Sequence, residues 1–269
     1  MPVTKLFVEG DLDEEVLTGI FAGAPVVEKR VGKYGLQGLV LRERSTTGNG
    51  GVHFLRDRDF DYEPPASAPH SPTPIFSEQT RVLVGWRWFR HSIECYLLEP
   101  ALAAAALGQP KDELERLIAQ TAPELGSYQA ARWTVGQARA KLPPARHLET
   151  APPECVDDFR LPSDRSEKAS WSWLATTTRE FMQPVATAFA EEVLRKRFDE
   201  RRTKFAAMGA GDILVWFSGK DVLSFIAPQL GSDSPKRLRN RLRNWVRSNP
   251  EEAVRLLPEW AELKRLVSQ

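Results

Sequence analysis

Short apolar runs alternate with helical periodicities through the first hundred residues. Lys5-Leu6-Phe7-Val8 is a strand-length run closed by Glu9-Gly10. Asp11 to Leu17 then reads as a helix start, with acids in the first turn where the helix dipole favours them. Ala24 to Glu28 predicts a second short strand, and Tyr34 to Arg44 a second helix with Leu36, Leu39 and Val40 on one face. Ser45 to Gly51 is a turn, and Val52 to Leu55 is a third apolar run. The order β-α-β-α-β is that of a parallel sheet flanked by helices.

Five prolines between Tyr62 and Ser77 exclude a helix or central strand there and predict a loop at the rim of the sheet. Arg81 to Trp86 predicts a fourth strand, and Glu94 stands at a helix start. Ala101 to Leu107 and Asp112 to Gln120 are helical segments, separated by Gly108 and Pro110. Lys141 to Asp164, broken by Pro143, Pro144, Pro152, Pro153 and Pro162, reads as a linker, and helical periodicity resumes over Ser170–Lys204. Ile213-Leu214-Val215-Trp216-Phe217 is a continuous apolar run that predicts a strand returning to the sheet, with Asp221 to Ile226 helical behind it. From Lys236 to Arg247, at about 100° per residue, Leu238, Leu242, Trp245 and Val246 share one face and the basic side chains take the remaining arc. The chain thus divides into an α/β core over 1–100, a helical insertion over 101–210, a return strand and helix over 211–230, and a basic helical segment over 231–269.

Candidate chemistry gathers where strands end. After Val52-His53-Phe54-Leu55-Arg56, the acids Asp57, Asp59 and Asp61 alternate, and alternation in an extended chain turns all three to one side. Three carboxylates together repel one another unless a divalent cation neutralises them, and hard oxygen donors suit Mg²⁺ or Mn²⁺. In open α/β sheets ligands collect beyond the carboxyl ends of the strands, so Glu9 and the Asp57–Asp61 group are expected to share a crevice. Lys220, closing the predicted return strand, would arrive at the same edge as a cation able to stabilise charge on a transferring phosphoryl group. Lys33 is a second candidate phosphate contact. His91 fits a structural role as well as that of a base or nucleic-acid contact. Arg237, Arg239, Arg241 and Arg243 could track a phosphate backbone, present a solvated face or dock an acidic partner.

A glutamate ending the first strand in V-E-G-x-x-D (Glu9, Gly10, Asp13), followed by hydrophobic-D-x-D (Asp57, Asp59), resembles the TOPRIM domain of topoisomerases, primases and OLD-family nucleases. The wording D-R-D-F-D is most similar to stand-alone bacterial TOPRIM nucleases, including the TOPRIM effector of the PARIS anti-phage system. Gly32-Lys33 before a helix is a weaker echo. Ile93-Glu94-Cys95-Tyr96-Leu97-Leu98 resembles an I-E-N-Y-L-L block with Cys95 in place of asparagine, and Ser218-Gly219-Lys220-Asp221 resembles a G-K-D segment. The resemblance covers the first hundred residues and the stretch near 211–227.

It implies a TOPRIM-like α/β fold and a nuclease cleaving DNA or RNA, tRNA included. One or two Mg²⁺ or Mn²⁺ ions would be held by Glu9, Asp57 and Asp59 with help from Asp13, Asp61 and Glu94, and Glu9 could serve as general acid or base. It also implies an ATPase partner that keeps the nuclease silent, as part of an anti-phage defence system. The other reading is a catalytically silent scaffold of the same fold that binds nucleic acid or the ATPase. A small-molecule phosphohydrolase would need a closed pocket in place of an open basic groove.

Composition narrows the classes. With 269 residues and a 42% apolar fraction the chain can fill a real core, while a net charge of +1 leaves nucleic-acid binding to a local patch. Two cysteines, Cys95 and Cys155, make neither a zinc site nor a disulfide framework and point to a reducing compartment. No apolar run has the length to cross a bilayer, and a strand stands where a signal peptide needs a long apolar core, so a cytoplasmic protein without a membrane partner is expected. The chain is too short for a topoisomerase gate and lacks a primase zinc module. DNA against RNA, and homo-oligomer against monomer, are left open by the pattern.

Overall fold

The computed structural model describes residues 2–30, 35–65, 70–142, 164 and 166–269. Its strands are β1 (Lys5–Val8), β2 (Val26–Lys29), β3 (Val52–Arg56), β4 (Thr73–Phe76) and β5 (Leu83–Arg87). The helices, in chain order, are α1 (Asp11–Phe21), α2 (Leu36–Thr47), α3 (Ile93–Leu97), α4 (Pro100–Leu107), α5 (Lys111–Ala119), α6 (Thr121–Arg139) and α7 (Glu167–Ala188). They continue with α8 (Glu191–Phe205), α9 (Ala210–Trp216), α10 (Gly219–Ile226), α11 (Pro235–Ser248), α12 (Pro250–Leu256) and α13 (Pro258–Ser268). The protein is α/β, with one five-stranded sheet in the order β2-β1-β3-β5-β4. β2, β1, β3 and β5 pair in parallel, and β4 runs antiparallel along the edge.

The most apolar runs occupy the middle of the sheet. Leu6, Phe7 and Val8 of β1 and Val52, Phe54 and Leu55 of β3 are buried, as strands covered on both faces require. On one face Phe7, Val52 and Phe54 pack under Leu36 and Val40 of α2. The opposite side carries α1, whose Val16, Leu17, Ile20 and Phe21 form its buried stripe and whose first turn holds Asp11, Asp13 and Glu14. α1 packs against α11. Ser234 caps α11 by accepting a hydrogen bond from the Arg237 amide, and Leu238, Leu242 and Val246 are its buried positions. α11 also packs against α4.

Two expectations are corrected. The run Ile213–Phe217 is not a return strand: Ala210–Trp216 is the helix α9, with Ile213, Leu214 and Trp216 buried, packed against α3 and α5. A short run apolar on every side reads alike as a buried strand or a buried helix turn. The Tyr62–Ser77 segment is not all loop, since Thr73–Phe76 forms β4 with Pro74 opposite Trp86. Proline is tolerated there because an edge strand has one side free of ladder bonds.

The chain separates into two compact units, one formed by residues 1–129 and 205–269 and the other by 130–204. The expected insertion was drawn over 101–210, whereas α4, α5 and the first part of α6 belong with the sheet. In the second unit α7 runs through Pro184 without a break. Most of the expected linker 141–164, with Cys155, lies outside the described residues, as does Lys33. No described helix is long and apolar enough to cross a membrane.

Candidate metal centre

The parallel pairing of β1 and β3 decides where the first two carboxylates stand. Lys5 is level with Val52 and Phe7 with Phe54. Continuing that register brings Glu9 level with Arg56, one residue short of Asp57, on strands about 4.7–4.9 Å apart. Asp13 sits in the first turn of α1 directly after the β1 turn. Glu94 begins α3 beyond the end of β5, and Lys220 stands in the first turn of α10. Glu9, Asp13, Asp57, Asp59, Glu94 and Lys220 line one cleft of about 420 Å³, and Arg239 and Arg243 of α11 line it as well.

Lys220 therefore reaches the predicted place by a helix instead of a strand. The start of α10 is fastened by the buried Gln129, whose Oε1 accepts from the Ser218 amide at 3.1 Å and whose Nε2 donates to Asp221 at 2.6 Å. Gly219 lets α10 approach α3 closely: a Cβ there would lie 2.7 Å from Glu94 Cβ and 2.8 Å from the Cys95 nitrogen. Lys220 Nζ is 3.9 Å from Glu94 Oε1; the lysine is largely exposed and the glutamate buried.

The loop after β3 is held from several directions. Trp88 donates its amide to the Arg56 carbonyl at 3.0 Å and Asp59 donates its amide to the His91 carbonyl at 3.0 Å. Phe60 meets the His91 ring edge-on with centroids 4.3 Å apart. Asp59 has φ of 51°, a left-handed conformation that aspartate tolerates better than most residues. That turn ends the extended alternation, and Asp61 does not line the cleft with Asp57 and Asp59. Arg58 points away from them and is almost wholly buried. It donates to the carbonyls of Phe89 and Tyr62, each at 2.8 Å, and to that of Val215 in α9. Burial lowers its guanidinium to about 10. Its burial and its three carbonyl acceptors, contributed by distant segments, make it a fastener of the loop, a role no local pattern in the sequence announces.

The basic residues of α11 do not act as one surface. Arg243 donates to Glu15 of α1 at 2.6 Å, Arg237 is paired with Asp233 within its own turn, and Arg241 is exposed. Neither Arg237 nor Arg241 lines the cleft.

Crowding of the acids shows in their protonation. Burial, then Glu94 and Glu9, push the Asp13 carboxyl up to about 7, against the pull of a backbone hydrogen bond and Lys220. Burial, with Asp13, Asp59, Glu94 and Glu9 behind it, holds Asp57 well above the usual carboxylate range. Its Oδ1 is hidden from solvent and has no hydrogen-bond partner. A buried carboxyl oxygen left without a partner is costly, and ionising it there is costlier still; a divalent cation would supply both the missing partner and the positive charge that ionisation needs. Among the described residues no three His, Cys, Asp or Glu side chains already converge as a ready-made ligand set. The acids face a shared opening without closing a cage, and their hard oxygen donors are of the type that suits Mg²⁺ or Mn²⁺.

Glu259 of α13 was not visible as a site residue in the sequence. Its Oε1 accepts from the Phe89 amide at 2.9 Å, and its Oε2 is hydrogen-bonded to the Tyr96 hydroxyl, so α13 braces the loop leading to Glu94. Burial raises its carboxyl to about 7, against the hydrogen bonds from Tyr96 and Phe89. Below about 4.5 both the folded and the unfolded chain hold this proton. Between there and about 7 only the folded chain keeps it, so this group's contribution to stability is lost as pH rises through that window. Glu259→Gln removes the titrating proton and the charge, keeps an oxygen to accept from the Phe89 amide, and turns an NH2 donor toward the Tyr96 hydroxyl, which must then accept. It is expected to shallow the fall in stability across the window and to gain at most about 3 kcal/mol above pH 7. Urea unfolding of both proteins across this range checks it, and equal slopes would exclude Glu259 as a source.

Among known proteins, no family model and no curated protein matches this chain.

Proposed function

We propose that the chain is a metal-dependent TOPRIM-like nuclease that hydrolyses phosphodiester bonds in DNA or RNA, tRNA included. The observation that carries the reading is the partnerless, hidden Asp57 Oδ1 in a cleft where Glu9 leaves the neighbouring strand. Asp57, Asp59, Asp13 and Glu94, with Glu9, would hold the ion. A divalent cation bound there supplies Lewis-acid polarisation of a phosphodiester and a more acidic water. Glu9, at the lip of the cleft, transfers the proton of the attacking water or of the leaving oxygen. Lys220, beside Glu94, stabilises negative charge building on the transferring phosphoryl group. Arg239 draws the strand toward the acids, and counterion release strengthens that contact. In its cellular setting we place the chain in the cytoplasm as an anti-phage effector held silent by an ATPase partner.

Purified protein incubated with supercoiled plasmid and with total tRNA is expected to cut at least one of them in Mg²⁺ or Mn²⁺ and neither in EDTA. Glu9→Gln is expected to slow cutting by roughly 10²–10⁴-fold. Cutting that is unchanged in EDTA or in Glu9→Gln would remove this site from the reaction. The second reading is a catalytically silent scaffold of the same fold that binds nucleic acid or the ATPase, to which the lack of a converged ligand set among the described residues would correspond. Titration calorimetry separates the two, because the nuclease reading requires Mg²⁺ or Mn²⁺ heat that disappears in Asp57→Asn and the scaffold reading requires none.

A further inference from the structure

On the other face of the sheet from Asp57, two arginines end neighbouring strands side by side. Arg56 closes β3 and Arg87 closes β5, and they are register partners in the parallel ladder. Aligned residues of parallel strands project to the same face, and the preceding pair on that face is Phe54 with Gly85. Phe54 packs under Leu36 and Val40, which places both guanidinium groups on the α2 side.

Like charges set next to each other at a half-buried edge call for a counter-charge. None is present among the described residues: neither arginine has a carboxylate partner, and the Nε of each is hidden from solvent without a hydrogen-bond acceptor. Burial first, and then Arg56, pull the Arg87 guanidinium below its ordinary range. The one group that addresses both is Tyr62, whose ring lies 3.9 Å from the Arg87 guanidinium carbon and 4.9 Å from that of Arg56. A π face offers partial compensation, since cation–π attraction is weaker than an ion pair. Tyr62 is also the group that works against the fall in the Arg87 guanidinium, through a side-chain hydrogen bond as well as its ring. Leu36, in the first turn of α2, belongs to the cluster of Phe54, and that first turn carries no acidic residue and no side-chain cap. The first turn of α2 thus supplies no acidic side chain to offset the partial positive charge of its own helix start.

We infer that Arg56 and Arg87, covered by Tyr62, form a second anion site that takes a phosphate group, on the face of the sheet opposite the acidic cleft. Two planar forks presented together match the oxygens of a phosphate, which can accept from both at once. The phosphate could belong to a nucleic-acid strand or to a free anion; the recognising chemistry is the same. The site does not depend on the metal or on cleavage, so it can be measured in EDTA.

Inorganic phosphate titrated into the full chain at constant ionic strength, with chloride as the compensating anion, is expected to give a saturable heat and to raise the unfolding midpoint. Arg87→Gln and Arg56→Gln should each weaken that binding at least tenfold. Arg116→Gln, which removes an exposed arginine elsewhere, should not. Two single variants keep the test open should either fail to fold. The dinucleotides pTpT and TpT then separate the sources. Competition by pTpT alone assigns a strand terminus, competition by both assigns the internal backbone, and competition by neither leaves the free anion as the ligand. No phosphate heat with the parent protein, or equal heat in Arg56→Gln and Arg87→Gln, overturns the site whether or not the chain proves to be a nuclease.

Discussion

Asp57→Asn is expected to unfold at a higher temperature than the parent protein in EDTA while losing cleavage in Mg²⁺. Both effects come from one carboxylate. Its Oδ1 has no partner, and Asp13, Asp59, Glu94 and Glu9 all raise its proton affinity. Asparagine fills the same volume without the charge. Freeing this position of a carboxyl that is crowded by other acids and costly to ionise is worth about 1–3 kcal/mol, or about 2–4 °C per kcal/mol for a chain of this size. The sign with pH follows from the same groups. Asp13 keeps its proton up to about 7, above its ordinary 3.8, so in the metal-free parent its contribution to stability falls as pH rises between these values. A bound cation reverses the sign, since it needs the ionised form. Removing a ligand that helps polarise the phosphate should slow cleavage roughly 10²–10³-fold, about 3–4 kcal/mol of lost transition-state stabilisation. Equal unfolding midpoints in EDTA together with equal cutting rates would show that Asp57 neither suffers this crowding nor serves the reaction.

The parts of this site that could be read in advance were those whose position depends on local order. β1, α1 and β3 follow from short apolar runs, a glycine turn and acids in a first helical turn, and once β1 and β3 pair in parallel, Glu9 and Asp57 stand near one another without further information. What could not be read depended on contacts between distant segments. Ile213–Phe217 is apolar throughout, so its pattern holds no period, and α3 and α5 packing against α9 settle it as a helix. Lys220 reaches the cleft through the closeness of Gly219 to Glu94 and Cys95, which no spacing announces. Asp61 was misplaced because the alternation argument assumes an extended chain, and the left-handed Asp59 ends that chain two residues too soon. The pairing of Arg56 with Arg87 needs the register of β3 and β5, and the bracing by Glu259 crosses 163 residues to reach Tyr96.

Gly219→Ala offers the sharper test of how the site is assembled, because two opposite effects can be set against each other. In the interior of a helix the change from glycine to alanine ordinarily stabilises by about 0.5–1 kcal/mol. Gly211, in the first turn of α9, meets nothing within 4 Å of where a Cβ would stand, so Gly211→Ala is expected to stabilise by no more than that amount and not to destabilise. At Gly219 the new carbon would sit 2.7 Å from Glu94 Cβ, 2.8 Å from the Cys95 nitrogen and 3.0 Å from the Cys95 sulfur. The first two cannot rotate aside. α10 and α3 must therefore separate, and such overpacking costs about 1–3 kcal/mol. The movement carries Lys220 with α10 and Glu94 with α3, and both line the cleft. Cleavage should fall at least tenfold even at temperatures where the variant is fully folded, as a misplacement of about 1 Å is enough to do. The unfolding midpoint should thus fall in Gly219→Ala and not in Gly211→Ala, with activity lost in the first alone. A Gly219→Ala protein as stable and as active as the parent would mean that α10 does not stand against α3, and that Lys220 has no fixed place beside Glu94.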